Sequence, residues 1–296
     1  MTPVLDIEYY TDPLCCWSWA LAPAGRRLRY EFGDQISWRY RLGGMIADWS
    51  GFSDPLNGVD SAAQMGPYWY QMRVEHQVLV DERIWAEDPP ASSYPASVAC
   101  KAAERQGPEQ GERYLRRVRE AVTLERRNVA RREVLLELAA ELADAGGLDR
   151  EQFERDLGTE AVLWSFRDDV KEARYRGIGR FPSLVVHPAR GPSRLLVGFR
   201  PYEVLREQVV QLAPGIASVR TAGCIGAYVR YWGRVLVPEV AAAFDMKSGE
   251  AKQALDQAAA SGTLVRGGGA GREWYEKPAP CDCSEEAPPA QIRAAV

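Results

Sequence analysis

The chain reads as an α/β protein, and three stretches carry that reading. Val4 to Tyr10 is a β-favouring run, Trp17 to Phe32 spaces its Trp, Leu and aromatic residues as a helix does, and Ile36 to Leu42 alternates as IxWxYxL. Strand, helix and strand in that order open an α/β sheet. Far along the chain SLVVHP and RLLVGF, joined by the short turn ARGPS, form a second signal, a hairpin. The third is PYEVLREQVVQLA, a helix that stops at Pro214-Gly215 and would cover one face of that sheet.

Between these halves lies a helical insertion over about residues 52–160. Residues 52–95 are rich in Pro, Gly, Asp and aromatics with little periodicity, after which Ala96 to Gln106, Gly111 to Asn128 and Arg131 to Ala145 read as helices. The Arg-rich stretch RRVREAVTLERRNVARRE has the spacing of a solvated helix face with interspersed Glu. A further helix runs from Glu160 to about Tyr175, followed by the turn RGIGRFP. Residues 1–213 therefore form one domain, and PGIASVRTAG at 214–223 is a linker. Beyond it come a short helix from Ile225 to Gly233, a second in PEVAAAFD, and a third in SGEAKQALDQAAASG, with Ser248 as N-cap and Gly262 as the stop. TLVRGGGAGREWYEK adds two short strands around a Gly-rich turn. Three helices and a hairpin in this order make residues 224–278 a winged-helix-like domain. The tail, 279–296, is Pro-, Ala- and acid-rich, carries a Cys-x-Cys and is expected to be mobile.

With 296 residues, 46% of them hydrophobic, the chain can bury a large core, and a net charge of −4 argues against general affinity for nucleic acid or an anionic membrane. The N-terminus MTPVLDIEYYTDPL has neither the basic nor the apolar region of a signal peptide, and no run of about 18 apolar residues occurs, so a cytoplasmic protein with no membrane span is expected. Six cysteines in such a chain are not a disulfide framework. Cys100 and Cys224 read as small buried hydrophobes.

The chemistry concentrates in DPLCCWSW, residues 12–19. Cys15 stands where a strand turns into a helix, a place where free backbone N–H groups and the helix dipole favour a thiolate. One helical turn on, where a second thiol would resolve a mixed disulfide, stands Ser18, whose hydroxyl can donate a hydrogen bond to a thiolate but cannot displace a bound sulfur. Cys16 does not restore that chemistry, because disulfides want Cα atoms about 4.4–6.8 Å apart and neighbours are held at about 3.8 Å. Cys15 and Cys16 together with Cys281 and Cys283 from the tail would instead make a four-thiolate site for Cu(I) or Zn(II).

Strand, Asp-Pro-Leu-Cys-x-Trp-x-Trp turn and helix at 4–32, with Gly-Ile-Gly-Arg-Phe-Pro-Ser at 177–183, resemble the DsbA family of thioredoxin-fold proteins. The resemblance covers roughly residues 4–213 and implies a thioredoxin fold with a helical insertion, a cis Pro182 facing Cys15, and a Phe181 backbone available to pair with a substrate chain. RLGGMIADW, AQMGPYW, EDPPASSYPA and EARYRGIGRFP resemble a cytosolic branch of that family commonly labelled dithiol-disulfide isomerases, from which this chain departs at Ser18. The same fold hosts glutathione-dependent isomerases such as 2-hydroxychromene-2-carboxylate isomerase, and a proteolysis adaptor.

Ser92, Ser93 and Tyr94, in the aromatic-polar loop EDPPASSYP, are candidate substrate contacts alongside Trp17, Phe181 and Pro182, because hydroxyls packed between prolines need a partner. Trp19, Met45, Trp49, Met65, Trp69 and Tyr70 are candidates for apolar walls. His76 and His187 fit no triad and read as structural, and RGGGAG at 266–271 lacks the Lys-Ser/Thr of a phosphate loop. From Arg220 to Lys277 there are eight basic and six acidic residues, and the would-be recognition helix holds one lysine and no arginine. That composition suits dimerisation or cover for the active site better than DNA. The leading expectation is a thiol-dependent oxidoreductase or transferase using Cys15, assisted by Ser18. Its substrate would be a small molecule or a low-molecular-weight thiol such as glutathione or mycothiol, with Cys16, Cys281 or Cys283 as resolving thiols. The alternatives are the Cu or Zn protein, and a non-catalytic adaptor or DNA-binding regulator on the same scaffold.

Overall fold

A computed structural model describes residues 3–221 and 223–278. Strand β1 (Leu5–Thr11) runs into helix α1 (Cys16–Phe32), which returns the chain to β2 (Ile36–Leu42), parallel to β1. β3 (Ser183–Pro188) and β4 (Arg194–Val197) form the hairpin, β3 lying antiparallel to β1, so the strand order is β2-β1-β3-β4. Alternation along β1 decides what each face does. Leu5, Ile7 and Tyr9 pack under α1, through Leu21, Leu28 and Phe32, and under α9 (Tyr202–Leu212), through Leu205 and Val209. Glu8 and Tyr10 point the other way, Tyr10 onto Ala173, Ile178 and Val185. Glu8 is 5% exposed and is matched there by Arg41, Arg176 and His187. Burial works to raise its carboxyl, and those partners outweigh it and hold it below the ordinary value.

The insertion comprises α2 (Ala62–His76), α3 (Ile84–Glu87), α4 (Tyr94–Glu104), α5 (Pro108–Leu124), α6 (Arg132–Asp144), α7 (Arg150–Asp156) and α8 (Glu160–Tyr175). Two of these correct the reading of 52–95 as aperiodic. α2 buries Met65, Trp69 and Met72 at helical spacing, but Pro67 inside it and the exposed Tyr70 and Val74 beside them blur the pattern. α3 is a single turn. α7, also unforeseen, starts where the Asp149 side chain accepts from Gln152 N–H. α4 and α5 begin earlier than expected because Pro95 and Pro108 stand in their first turns.

The solvated face expected of the Arg-rich stretch is also corrected. Arg117, Arg119 and Glu120 are 8%, 5% and 3% exposed. Arg116 pairs with Glu120 and with Glu239 far along the chain, and Arg117 with Glu125 and Glu141. Two of these carboxylates, Glu239 on Arg116 and Glu141 on Arg117, come from distant segments, which local spacing cannot show.

After residues 213–224, where Val219 and Arg220 N–H bond the Glu31 carbonyl, come α10 (Ile225–Trp232), α11 (Val237–Phe244) and α12 (Ser248–Ala260). Strands β5 (Val235–Leu236), β6 (Val265–Gly267) and β7 (Trp274–Glu276) form an antiparallel sheet of order β5-β7-β6. β5 was not foreseen, since two residues give no period. Ser248 is the first helical residue rather than the cap: Lys247 holds that position, its N–H donating to Glu250 Oε2 at 3.0 Å. No helix among the described residues is long and apolar enough to cross a membrane.

Candidate functional site

The turn that delivers Cys15 is built on Asp12, which is fully buried. Its Oδ1 accepts from Leu14 N–H at 2.9 Å, and its Oδ2 from Met45 N–H and the Ser93 hydroxyl, each at 2.7 Å. One side chain thus ties the end of β1 to the segment after β2 and to the start of α4. Burial raises the Asp12 acid against those donors and against Arg119. Asp12 was missed as a site residue, although an aspartate before proline at a strand end is itself a turn signal.

Cys15 caps α1 with its backbone and is only 5% exposed. Its thiol donates to the Phe181 carbonyl at 3.4 Å, and Phe181-Pro182 is cis, so the facing pair implied by the resemblance is present. The Phe181 ring lies against Gly43, where any Cβ would stand 1.9 Å from it, so only glycine admits the ring. The electrostatics differ from expectation. Burial pushes the Cys15 thiol up, with Asp12 adding to it, while the Ser18 hydroxyl and N–H and Arg119 work the other way without prevailing. The helix start therefore holds a thiol whose proton is engaged by a carbonyl, in place of the activated thiolate. A carbonyl has two lone pairs, so this single bond leaves it able to accept another.

Ser18 is fully buried, with its hydroxyl beside the Cys15 thiol. Cys16 is 2% exposed, packed in the insertion core, and its thiol is raised well above the ordinary value by burial and by Cys15. Trp17 is half-buried, donates from Nε1 to Tyr68 Oη, and stacks edge-on to His76 at 4.8 Å. Cys281 and Cys283 lie outside the described residues, so the tail half of the metal and resolving-thiol expectations falls there too. Among the described residues no three His, Cys, Asp or Glu side chains converge as metal ligands would.

The need of the Ser92 and Ser93 hydroxyls for partners is met from inside the protein. Ser92 Oγ donates to the Ile46 carbonyl at 3.0 Å and accepts from Tyr94 N–H at 3.1 Å, while Ser93 is fully buried on Asp12. The Tyr94 ring meets Phe166 edge-on at 4.9 Å. These residues hold the site's frame. Of the proposed apolar walls, Trp19, Met65 and Trp69 are core, Met45 and Trp49 pack partly buried against it, and Tyr70 is 52% exposed. His187 bridges Glu8 and Ser193, a structural role. The other residue missed is Arg119, buried beneath the turn and reaching the Thr11 hydroxyl.

With the geometry in place, comparison with known proteins adds three findings. A sequence model of the family described as Thioredoxin matches residues 9–207. Curated relatives include proteins named ClpXP adapter protein SpxH. That of Halalkalibacterium halodurans is 28% identical over 254 residues, covering 85% of this chain and 81% of its own. That of Bacillus subtilis is 26% identical over 259 residues, covering 86% and 83%. Among solved structures, a putative protein disulfide isomerase from Nitrosomonas europaea matches with TM-score 0.59 and 22% identity, covering 70% of this chain and 96% of its own. The cytosolic disulfide reductase DsbM from Pseudomonas aeruginosa matches with TM-score 0.55 and 23% identity, covering 70% and 100%.

Proposed function

The chain belongs to the thioredoxin family and has the DsbA-like fold with a helical insertion, and on that premise we propose that it acts by binding proteins, as an adaptor that brings a client to the ClpXP protease. The observation that carries the reading is the closed thiol: Cys15 is buried, keeps its proton, donates it to the Phe181 carbonyl and faces Ser18 instead of a resolving cysteine. A thiol enzyme needs an accessible thiolate; an adaptor needs only the scaffold. The adaptor names of relatives aligned over more than four fifths of both chains support the same choice. The partner is then a protein, which the small-molecule expectation did not include.

Proteome-wide protein lifetimes in cells with and without this chain test the proposal. A client's half-life lengthens several-fold when the chain is absent, and purified ClpXP degrades that client faster when the chain is added. No change in any lifetime, or no acceleration with purified components, refutes it. The cis Phe181-Pro182 bond facing Cys15 keeps a second reading in view, a monothiol cycle with a low-molecular-weight thiol. Under that reading Cys15→Ser abolishes activity; under the adaptor reading it leaves client delivery intact.

A further inference from the structure

Helix α8 turns Val162, Phe166, Asp169, Val170 and Ala173 inward, and its opposite face carries two large aromatic residues. Trp164 is 65% exposed and Tyr175 87%. Trp164, Lys171 and Tyr175 stand at i, i+7 and i+11, so one line runs about 16 Å along the helix with an aromatic ring at each end. Exposed aromatics of this size cost solvation that a lone surface helix has no reason to bear, and Trp and Tyr are the residues on which protein interfaces centre.

Charge selects the partner. Arg167, Lys171 and Arg174, at i, i+4 and i+7, form a stripe along the same line, and all three are exposed. The ion pairs of α8 are made by other residues: Asp169 with Arg41 and Lys101, and Glu172 with Arg176. Elsewhere exposed arginines find a carboxylate one turn away on their own helix, Arg113 with Glu109 and Arg150 with Glu154. Like charges three and four residues apart repel, and here no ion pair among the described residues relieves them. The Arg167 guanidinium lies 5.9 Å from the centre of the Trp164 ring, so cation and aromatic make one surface. The two acids of this face stand aside: Glu160 in the first turn, where the helix dipole favours it, and Asp168 on the flank away from Arg167 and Arg174.

We propose that this face of α8 docks an acidic amphipathic helix of a partner protein, its apolar side on Trp164 and Tyr175 and its carboxylates against Arg167, Lys171 and Arg174. A helix laid alongside at a shallow angle keeps contact over three turns. An extended peptide would find no backbone to pair with, because the hydrogen bonds of α8 are spent inside the helix. Three cations with two acids close by are too few to hold a phosphate backbone, and the net charge of −4 disfavours nucleic acid and anionic membranes further. The surface binds whether or not its partner is then degraded, so the proposal stands or falls apart from the adaptor reading.

The probe is a fluorescein-labelled synthetic helix with Leu at i, i+3 and i+4 and Glu on its other face, titrated with the full chain and read by fluorescence anisotropy beside a twin carrying Lys for every Glu. The Glu probe binds saturably and weakens as salt rises, and the Lys probe does not bind. Reversing the stripe, R167E with K171E and R174E, cuts affinity for the Glu probe about tenfold or more and confers binding of the Lys probe, a gain that a misfolded variant cannot show. Trp164→Ala and Tyr175→Ala each weaken the Glu probe severalfold. No saturable binding of the Glu probe, or binding indifferent to the reversal, overturns the proposal. So does tighter binding of another occupant that is lost in the reversed variant: duplex DNA, phosphatidylserine vesicles, a peptide of residues 279–296, or a second copy of the chain seen by sedimentation.

Discussion

At its first turn α1 carries a buried thiol that is bonded to a backbone carbonyl. Two turns on, the same helix is gripped by charge. Arg26 donates to Glu239 at 2.9 Å and to the Arg234 carbonyl at 3.0 Å; Arg27 donates to Asp245 and to the Ala242 carbonyl at 2.7 Å. Around these pairs Arg116 meets Glu239, Arg234 meets Glu120, and Arg272 meets Asp81 and the Leu124 carbonyl. Tyr30 packs edge-on against Tyr228 and Tyr231. The residues after 224 are seated on α1 and α5 through their own chain, and the named contacts run along the helix flank without reaching Cys15. One helix therefore serves a neutral, closed thiol site and an ion-paired seat, and the two respond to different perturbations.

Glu239→Ala is the largest expected break. Glu239 is 1% exposed, accepts from Arg26, Arg116 and Leu236 N–H, and its loss leaves two guanidinium groups poorly matched. Removing one partner of a buried ion pair costs about 3–5 kcal/mol. Hydrogen exchange should rise across 225–278 while β1 and β3 stay protected; a uniform rise over the whole chain would erase the distinction between the two regions.

Acid gives the next effect. Burial acts to raise the Glu120 acid, and Arg116 and Arg234 overcome it; hydrogen bonds from Arg83 lead in lowering Asp81, with Arg272 assisting. Groups whose folded pKa is depressed contribute stability above their unfolded value and lose it as pH falls through the folded one, here below roughly pH 4. Asp12 is shifted the other way, so its contribution is present at low pH and fades as pH rises through its folded value. The seat should loosen on acidification before the Asp12 turn does, read from exchange at Leu236 and Met45 N–H; Met45 exchanging first would invert the account.

Cys15→Ser is expected to lower stability by only about 1 kcal/mol, the net worth of one hydrogen bond, and to leave client delivery unchanged. Smallest is Asp245→Asn. This pair with Arg27 is solvated at the carboxylate, 72% exposed, so its loss should cost under about 1 kcal/mol and vanish in high salt. A larger, salt-insensitive effect would mean that the rim of the seat matters as much as its buried centre.

The sequence was legible where local rules decide. The β1-α1-β2 opening, the hairpin and the Gly25-bearing helix follow from period, and Phe181-Pro182 facing Cys15 followed from family likeness. What escaped depends on partners far apart in the chain. Arg116 and Arg117 look like a wet helix face until Glu239 and Glu141 arrive to bury them. Ser93 looks like a free hydroxyl until Asp12 claims it. The protonation of Cys15 escaped for the same reason: its position at a helix start argues for a thiolate, and only the packed structure shows that burial outweighs the Ser18 donors.

The central claim, a buried and protonated Cys15, is tested most directly by alkylating the native protein with iodoacetamide at neutral pH and following each cysteine by peptide mass spectrometry. Cys224, read from the sequence as a small buried hydrophobe, is instead exposed and provides the internal standard. The account predicts that Cys15 reacts at least about tenfold more slowly than Cys224. Cys15 reacting first, with a rate that plateaus below pH 7, would reveal an activated thiolate and contradict it.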